Sequence, residues 1–194
     1  MGSPLPYSCE QIITEQEAGA DPTAWWRESV GKAQERRYRH AAPPQVGAAF
    51  VMGWYLQVVA TPLAFAAVLR DWLPDASPAA LRFDLDDAEF YPVAESLGGE
   101  HIRRATHPQL RMAQARKAYE EHAFRFAESY EPGVKMGSKQ RYGLVRDTWA
   151  AMLNSARTSV LQEPSRLGMR ESCCFIFALP GAHTCARCPR NRVR

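Results

Sequence analysis

The chain has 194 residues, of which 46% are hydrophobic and 23% charged. This is the composition of a folded domain with a substantial core, and it excludes an intrinsically disordered chain. The formal net charge of +3 at pH 7 is too small to indicate nucleic-acid binding, so no nucleic-acid partner is expected.

The cysteines are unevenly distributed. The chain has five, and four of them lie within its last 22 residues, whereas a secreted disulfide scaffold spreads an even number through a short chain. The N-terminus also lacks a basic stretch followed by an apolar run, the pattern of a secretory signal. We therefore expect a reducing, cytoplasmic compartment, in which clustered thiols indicate metal or redox chemistry. Cys9 stands apart and is interpreted as an incidental thiol.

The first half of the chain predicts helices. Residues 1–19 show no clear pattern and are expected to be loosely structured. Asp21 and Pro22 then provide a capping carboxylate and a proline suited to the first helical position. They predict a helix over 23–39 with Trp25 and Trp26 on its apolar side, followed by a long apolar helical stretch over 45–73.

The apolar stretch is long enough to be a membrane span, because no charged residue occurs between Ala41 and Leu69. The polar residues Gln57 and Thr61 and the interrupting Pro62 argue against a span, and two shorter buried helices would be equally natural. A single span that kept the basic residues before it in the cytoplasm would also export the cysteines. We therefore predict a buried core helix and no stable membrane insertion.

The middle of the chain contains the one convincing strand signal. Residues 81–85 alternate strictly between apolar and polar, residues 90–94 form a plausible return strand, and an acidic turn joins them into a hairpin near 81–95. Pro92 should restrict the second strand to a sheet edge.

Two further helices are predicted, from Pro108 to about Tyr130 and from Ser138 to about Gln162. The nearby histidines fit no metal-ligand spacing and are interpreted as surface or capping residues: His101, His107 and His122. The predicted architecture is therefore mainly α (α+β), with a helical domain over residues 1–162 and a C-terminal segment over residues 163–194.

That C-terminal segment contains the chemistry. Cys173 and Cys174 are adjacent, ten residues follow, and then Cys185 and Cys188 enclose two residues. Four thiolates are a full ligand set for a tetrahedral-sulfur metal site or a [2Fe–2S] cluster. Zinc usually takes two pairs that are each spaced by two to four residues, so the adjacent pair favours the cluster. Zinc and disulfide chemistry remain alternatives.

The last 25 or so residues resemble the FhuF-type ferric-siderophore reductases, whose hallmark is this Cys-Cys-x10-Cys-x2-Cys arrangement around a [2Fe–2S] cluster. Arg170 before the pair, the sequence Leu-Pro-Gly at 179–181 and Pro189 after the last cysteine agree with that family. A weaker likeness extends upstream through the apolar helix, the hairpin and the helix that carries Trp149.

The resemblance implies a ferric-siderophore reductase with a C-terminal [2Fe–2S]-binding loop packed on the helices. Such an enzyme reduces Fe(III), commonly in a hydroxamate siderophore, by one electron and releases Fe(II) in the cytoplasm. Its electron donor would be a ferredoxin or a reductase. Three cations flank the cluster ligands and could tune the potential or dock partners, or could only solubilise the tail: Arg170, Arg187 and Arg190. An iron–sulfur redox sensor or regulator and a zinc-stapled interaction protein are the alternatives.

Overall fold

The computed structural model describes residues 6–97, 103–161 and 167–191. The described residues form a mainly helical fold with two small antiparallel sheets. In chain order the elements are β1 (Tyr7–Ser8), α1 (Cys9–Glu17), α2 (Ala24–Tyr38), α3 (Pro44–Leu69), β2 (Trp72–Leu73), β3 (Leu81–Leu85), β4 (Pro92–Leu97), β5 (Arg103–Arg104), α4 (Pro108–Ser129) and α5 (Ser138–Leu161). The mainly α (α+β) architecture is confirmed.

Helix α3 is the centre of the fold. It packs against α2, α4 and α5. Its buried residues cover most of the circumference of the helix, and one stripe, which includes Phe50, Trp54 and Gln57, is half-buried. Among the described residues it is the one helix long and apolar enough to cross a bilayer, and 61% of its most apolar 18-residue window is buried by the rest of the chain.

Helix α3 differs from the sequence prediction in two ways. It runs unbroken through Pro62, so a division into two shorter helices is wrong. The residues after the proline, Leu63 and Ala64, are fully buried, and this packing outweighs the hydrogen bond that a proline removes. The helix also ends at Leu69, and Trp72–Leu73 forms a short strand paired with Arg103–Arg104 instead of extending the helix.

The predicted hairpin is confirmed. Strand β3 pairs with β4 in an antiparallel register that places Leu81 opposite Leu97. In the turn, the Asp86 carboxylate accepts hydrogen bonds from the backbone N–H groups of Ala88 and Glu89, at 2.9 and 2.7 Å. Pro92 begins β4, which lies at the sheet edge as predicted.

The expectation of a loosely structured N-terminus is wrong for residues 7–17. Strand β1 pairs with β3, with Tyr7 opposite Phe83, to give a third strand. In α1, Cys9 and Ile13 are fully buried. These short elements are stabilised by contacts with residues far along the chain, so local pattern gives little sign of them.

Two further interpretations need correction. Trp25 is 41% exposed and stacks on Tyr7 at 5.4 Å, whereas Trp26 is buried. His122 is not on the surface: it is 3% exposed, with its Nδ1 2.7 Å from the Ala76 carbonyl oxygen and its Nε2 2.9 Å from the Tyr55 hydroxyl. His107 does cap α4, as predicted, and His101 lies outside the described residues.

Candidate metal centre

The cysteine-rich segment is held against the N-terminal half of α5 by side chains of that helix. Gln140 bonds both backbone groups of Cys173: its Oε1 accepts from the Cys173 N–H at 3.0 Å, and its Nε2 donates to the Cys173 carbonyl. The amide therefore acts as a neighbouring strand would. This contact fixes the backbone of the first cysteine relative to the core.

Asp147 lies about two turns further along α5 than Gln140 and holds the residues just before the cysteine pair. Its carboxylate accepts from the N–H of Glu171 at 3.0 Å, from the N–H of Ser172 at 2.8 Å and from the Ser172 hydroxyl. Asp147 is 8% exposed and Ser172 is fully buried. Buried hydrogen bonds to a carboxylate are strong, so Asp147 anchors this end of the loop.

A glycine lets the loop approach the helix this closely. A Cβ at Gly143 would lie 3.3 Å from the Glu171 carbonyl carbon and 3.3 Å from the Ser172 Cβ, which is tighter than ordinary van der Waals contact. Any larger residue at this position would push the loop away from the carboxylate of Asp147.

The adjacent cysteines are followed by an unusual backbone conformation. Phe175 has φ of +60°, the left-handed region that residues with a Cβ rarely adopt. This conformation brings the Phe175 N–H to within 3.4 Å of the Cys173 Sγ. Hydrogen bonds to sulfur are one of the factors that set the potential of an iron–sulfur cluster.

The chain then turns back so that the second cysteine pair meets the first. Gly181 has φ of +80°, and the Ala182 N–H bonds to the Leu179 carbonyl at 3.0 Å, so Pro180–Gly181 forms the turn that the sequence predicts. A second tight turn joins Cys188 N–H to the Cys185 carbonyl at 2.9 Å.

The two ends of the segment are joined directly. The backbone N–H of Arg170 bonds to the Arg187 carbonyl at 2.9 Å. The Arg187 Nε donates to the Gly168 carbonyl at 2.8 Å. These contacts close the loop on itself.

The structure brings the four predicted thiols together. The Cys173 and Cys185 thiols each lie within electrostatic range of the Cys174 and Cys188 thiols. Burial raises the pKa of the Cys173 and Cys185 thiols, and the Arg170 guanidinium partly offsets this rise at Cys185. None of these cysteines forms a disulfide.

The arrangement suits a two-iron cluster. Among the residues that the structure describes, no three or more His, Cys, Asp or Glu side chains close around a position for one metal ion. A [2Fe–2S] cluster does not require such a position, because four thiolates are shared between two irons. The thiol donors, the N–H directed at sulfur and the nearby cations all fit this cofactor.

The three predicted cations have different surroundings. Arg170 lies 3.7 Å from the Asp147 carboxylate and bonds to the Ser172 hydroxyl at 3.2 Å. Arg187 joins it beside Cys174, where both line one cavity. Arg190 instead places its guanidinium 4.0 Å over the ring of Phe177.

Comparison with protein families finds a match within the cysteine-rich segment. Residues 170–190 match the family described as the FhuF 2Fe-2S C-terminal domain. The match assigns a [2Fe–2S] cluster to the segment as its cofactor. No curated protein and no solved structure matches the chain. The matched residues include all four clustered cysteines and all three flanking arginines, and we call residues 170–190 the iron–sulfur segment.

The residues that hold the iron–sulfur segment in place were not predicted from the sequence. Gln140, Gly143 and Asp147 follow one another at intervals of three and four residues and so share one face of α5, but they lie 24 to 33 positions before their partners. Polar residues on an amphipathic helix usually face solvent. The one available signal was that an aspartate interrupts the apolar side of the predicted helix between Leu144 and Thr148.

Proposed function

We propose that the protein is a cytoplasmic ferric-siderophore reductase. Its substrate would be a siderophore-bound Fe(III), most simply of the hydroxamate type, and its electron donor would be a ferredoxin or a reductase. The observation that carries the proposal is the convergence of four thiols within a segment that matches the FhuF 2Fe-2S C-terminal domain.

In this proposal Cys173, Cys174, Cys185 and Cys188 are the cluster ligands. The bound cluster would supply one electron at a time. The surrounding residues position it: Gln140 and Asp147 fix the loop, and the Phe175 N–H stabilises negative charge on the Cys173 sulfur. The guanidinium of Arg170 offsets part of the negative charge that four thiolates bring.

One-electron transfer is sufficient for iron release. Siderophore oxygens are hard donors, which bind Fe(III) far more strongly than Fe(II), so reduction alone weakens the chelate. The chain needs to hold the chelate near the cluster and exclude competing acceptors; the redox chemistry belongs to the cofactor.

The first test is the visible spectrum and metal content of the protein purified without oxygen. We expect a red-brown protein with about two irons and two sulfides per chain, bleached by dithionite and recoloured by a ferric hydroxamate siderophore. Recolouring by oxygen but not by the siderophore would favour a redox sensor. A colourless protein with one zinc, even after reconstitution with iron and sulfide, would contradict the proposal.

The ligand assignment has its own test. Replacing each of the four clustered cysteines by serine should reduce bound iron and sulfide after anaerobic reconstitution, because a hydroxyl is a poor substitute for thiolate. Cys9→Ala is the matched control, since Cys9 is buried in the core beside Tyr55 and away from the segment. Full cluster content in any of the four serine variants would remove that cysteine from the ligand set.

A further inference from the structure

A cavity of about 270 Å³ lies between α3 and α5, beside the iron–sulfur segment. Phe50 and Trp54 contribute from α3, and Thr148 and Met152 contribute from α5. Cys174 is the one clustered cysteine among the lining residues. A molecule in this cavity would therefore contact one proposed cluster ligand, Cys174.

One of the residues that line the cavity is a glycine, and no close contact with a neighbouring element requires a glycine there. Two glycines in α3 can be compared. A Cβ at Gly47 would lie 2.5 Å from the carbonyl oxygen of Arg27, so α2 requires that glycine. A Cβ at Gly53, which lines the cavity, would meet nothing within 4 Å. Glycine within a helix costs roughly 0.5–1 kcal/mol relative to alanine. Gly53 therefore makes α3 less stable than alanine would, and it leaves empty space in the cavity.

The lining of the cavity carries little net charge of its own. Arg170 is paired with the carboxylate of Asp147 at 3.7 Å, whereas Arg187 donates its Nε–H to the Gly168 carbonyl and keeps its positive charge. A thiolate-ligated cluster at Cys174 would offset that one positive charge. The remaining lining includes the rings of Phe50 and Trp54, which meet edge to face at 5.3 Å, and the side-chain amide of Gln57.

These features suit a neutral ligand with methylene and amide groups. A ferric tris-hydroxamate has that chemistry, because three hydroxamate anions balance the charge of Fe(III). The volume is below the roughly 300–1,000 Å³ of pockets that enclose whole small molecules. One arm of the chelate would enter, while the iron centre stays at the opening.

We propose that this cavity receives one arm of a neutral ferric hydroxamate chelate and that Cys174 is the ligand through which the electron leaves. This inference rests on the proposed reductase function. One electron reduces the chelated Fe(III) to Fe(II), and the donor protein returns one electron to the cluster. No covalent bond to the protein forms or breaks, and the hydroxamate oxygens remain on the iron until it dissociates.

Filling the cavity tests the inference without removing any charged residue or cluster ligand. Gly53→Leu places a side chain in the open space. Gly31→Leu is the matched control, because Gly31 lies within α2, its Cβ would also meet nothing within 4 Å, and it is not among the cavity residues. Both changes replace a helical glycine by a good helix former.

Binding is measured by calorimetry on the oxidised holoprotein with the gallium(III) form of a neutral tris-hydroxamate siderophore, which has the same charge and cannot be reduced. We expect a dissociation constant at least tenfold higher for Gly53→Leu and unchanged for Gly31→Leu. Should Gly53→Leu fail to fold, Trp54→Leu replaces it, with the exposed Trp25→Leu as its control. Trp54→Leu removes a ring that lines the cavity, so the same weakening of binding is expected. Binding equal to that of the wild type in whichever of these two cavity variants is used would overturn the inference.

A kinetic measurement separates this inference from the reductase proposal. Reduced wild-type and variant proteins are reoxidised by the ferric chelate and, separately, by ferricyanide, which is small and needs no cavity. We expect Gly53→Leu to slow only the reaction with the chelate. If the wild type reduces the chelate and Gly53→Leu does so equally fast, the cavity assignment is wrong and the reductase remains. If the wild type reduces ferricyanide but no chelate, the reductase proposal itself is wrong.

Discussion

Asp147→Asn should make the cluster labile while leaving the helical body folded. The aspartate side chain receives three hydrogen bonds from Glu171 and Ser172. Asparagine has one acceptor oxygen, and its NH₂ group would face an N–H or hydroxyl donor at the other position. At least one buried donor of the loop would then lose its partner.

The magnitude follows from the burial of these groups. Losing a hydrogen bond to a charged acceptor costs roughly 1.5–3 kcal/mol, and leaving a buried donor unsatisfied costs roughly 1–3 kcal/mol. A combined local effect of about 3 kcal/mol corresponds to roughly a hundredfold increase in the population of the open loop. Helix α5 keeps its apolar contacts with α3, so global unfolding should change much less.

The assay is the rate at which a ferrous chelator bleaches the cluster anaerobically after reduction, with far-UV circular dichroism as the measure of global folding. We expect bleaching of Asp147→Asn to be faster by at least tenfold. Glu171→Gln is the matched control, because Glu171 is a carboxylate in the same loop whose ion pair with Arg146 is solvent-exposed. Exposed pairs contribute only about 0–1 kcal/mol, so this variant should bleach at nearly the wild-type rate.

Equal bleaching rates for Asp147→Asn and the wild type would refute the reasoning, because they would show that the carboxylate does not hold the loop closed. A rate increase as large in Glu171→Gln would also refute it, since exposed and buried carboxylates would then act alike.

Two other predictions concern the core. Burial lowers the pKa of His122 from 6.5 to about 4. Below about pH 6.5 the unfolded chain therefore binds a proton at this residue that the folded chain does not bind, and the free energy of unfolding falls as the pH falls towards 4. At pH 5 the loss of stability is about 2 kcal/mol. Urea titrations should show a weaker pH dependence in His122→Asn, and an unchanged dependence would contradict the assignment. Gly47→Ala should destabilise the fold by roughly 1–3 kcal/mol, because the added Cβ would meet the backbone of Arg27. Gly53→Ala should stabilise the fold by up to about 1 kcal/mol. If both variants changed stability in the same direction, the difference in packing around the two glycines would be wrong.

The hairpin and the helices were predictable because their signals are local. Pro44 and Pro108 mark helix starts, alternation identifies β3, and an acidic turn joins it to β4. The short elements were not predictable on the same basis. Strand β1 has two residues, and its pairing partner lies more than 70 positions away, so its stability comes from tertiary contacts and not from propensity.

In helix α3, by contrast, local signals suggested a break that the structure does not contain. A proline and a preceding threonine are correct local signals for a break, yet the helix continues through Pro62. The buried residues after it gain more from packing against α4 and α5 than the missing hydrogen bond costs. His122 was misplaced for a related reason, because its partners, Tyr55 and Ala76, come from distant parts of the chain.

The sequence alone predicted a [2Fe–2S] cluster at the candidate site, with zinc and disulfide chemistry as alternatives. The spacing of four cysteines, the Pro180–Gly181 turn and the tight turn at Cys185 are properties of a short segment, and each follows from residue type and local geometry. Only the tertiary structure decided how the segment is held and what lies beside it. Gln140 and Asp147 reach it from a helix more than 20 residues away, and the cavity next to Cys174 exists because α3 and α5 pack side by side with a glycine between them. Such contacts depend on which surfaces meet after folding, and no local pattern encodes that.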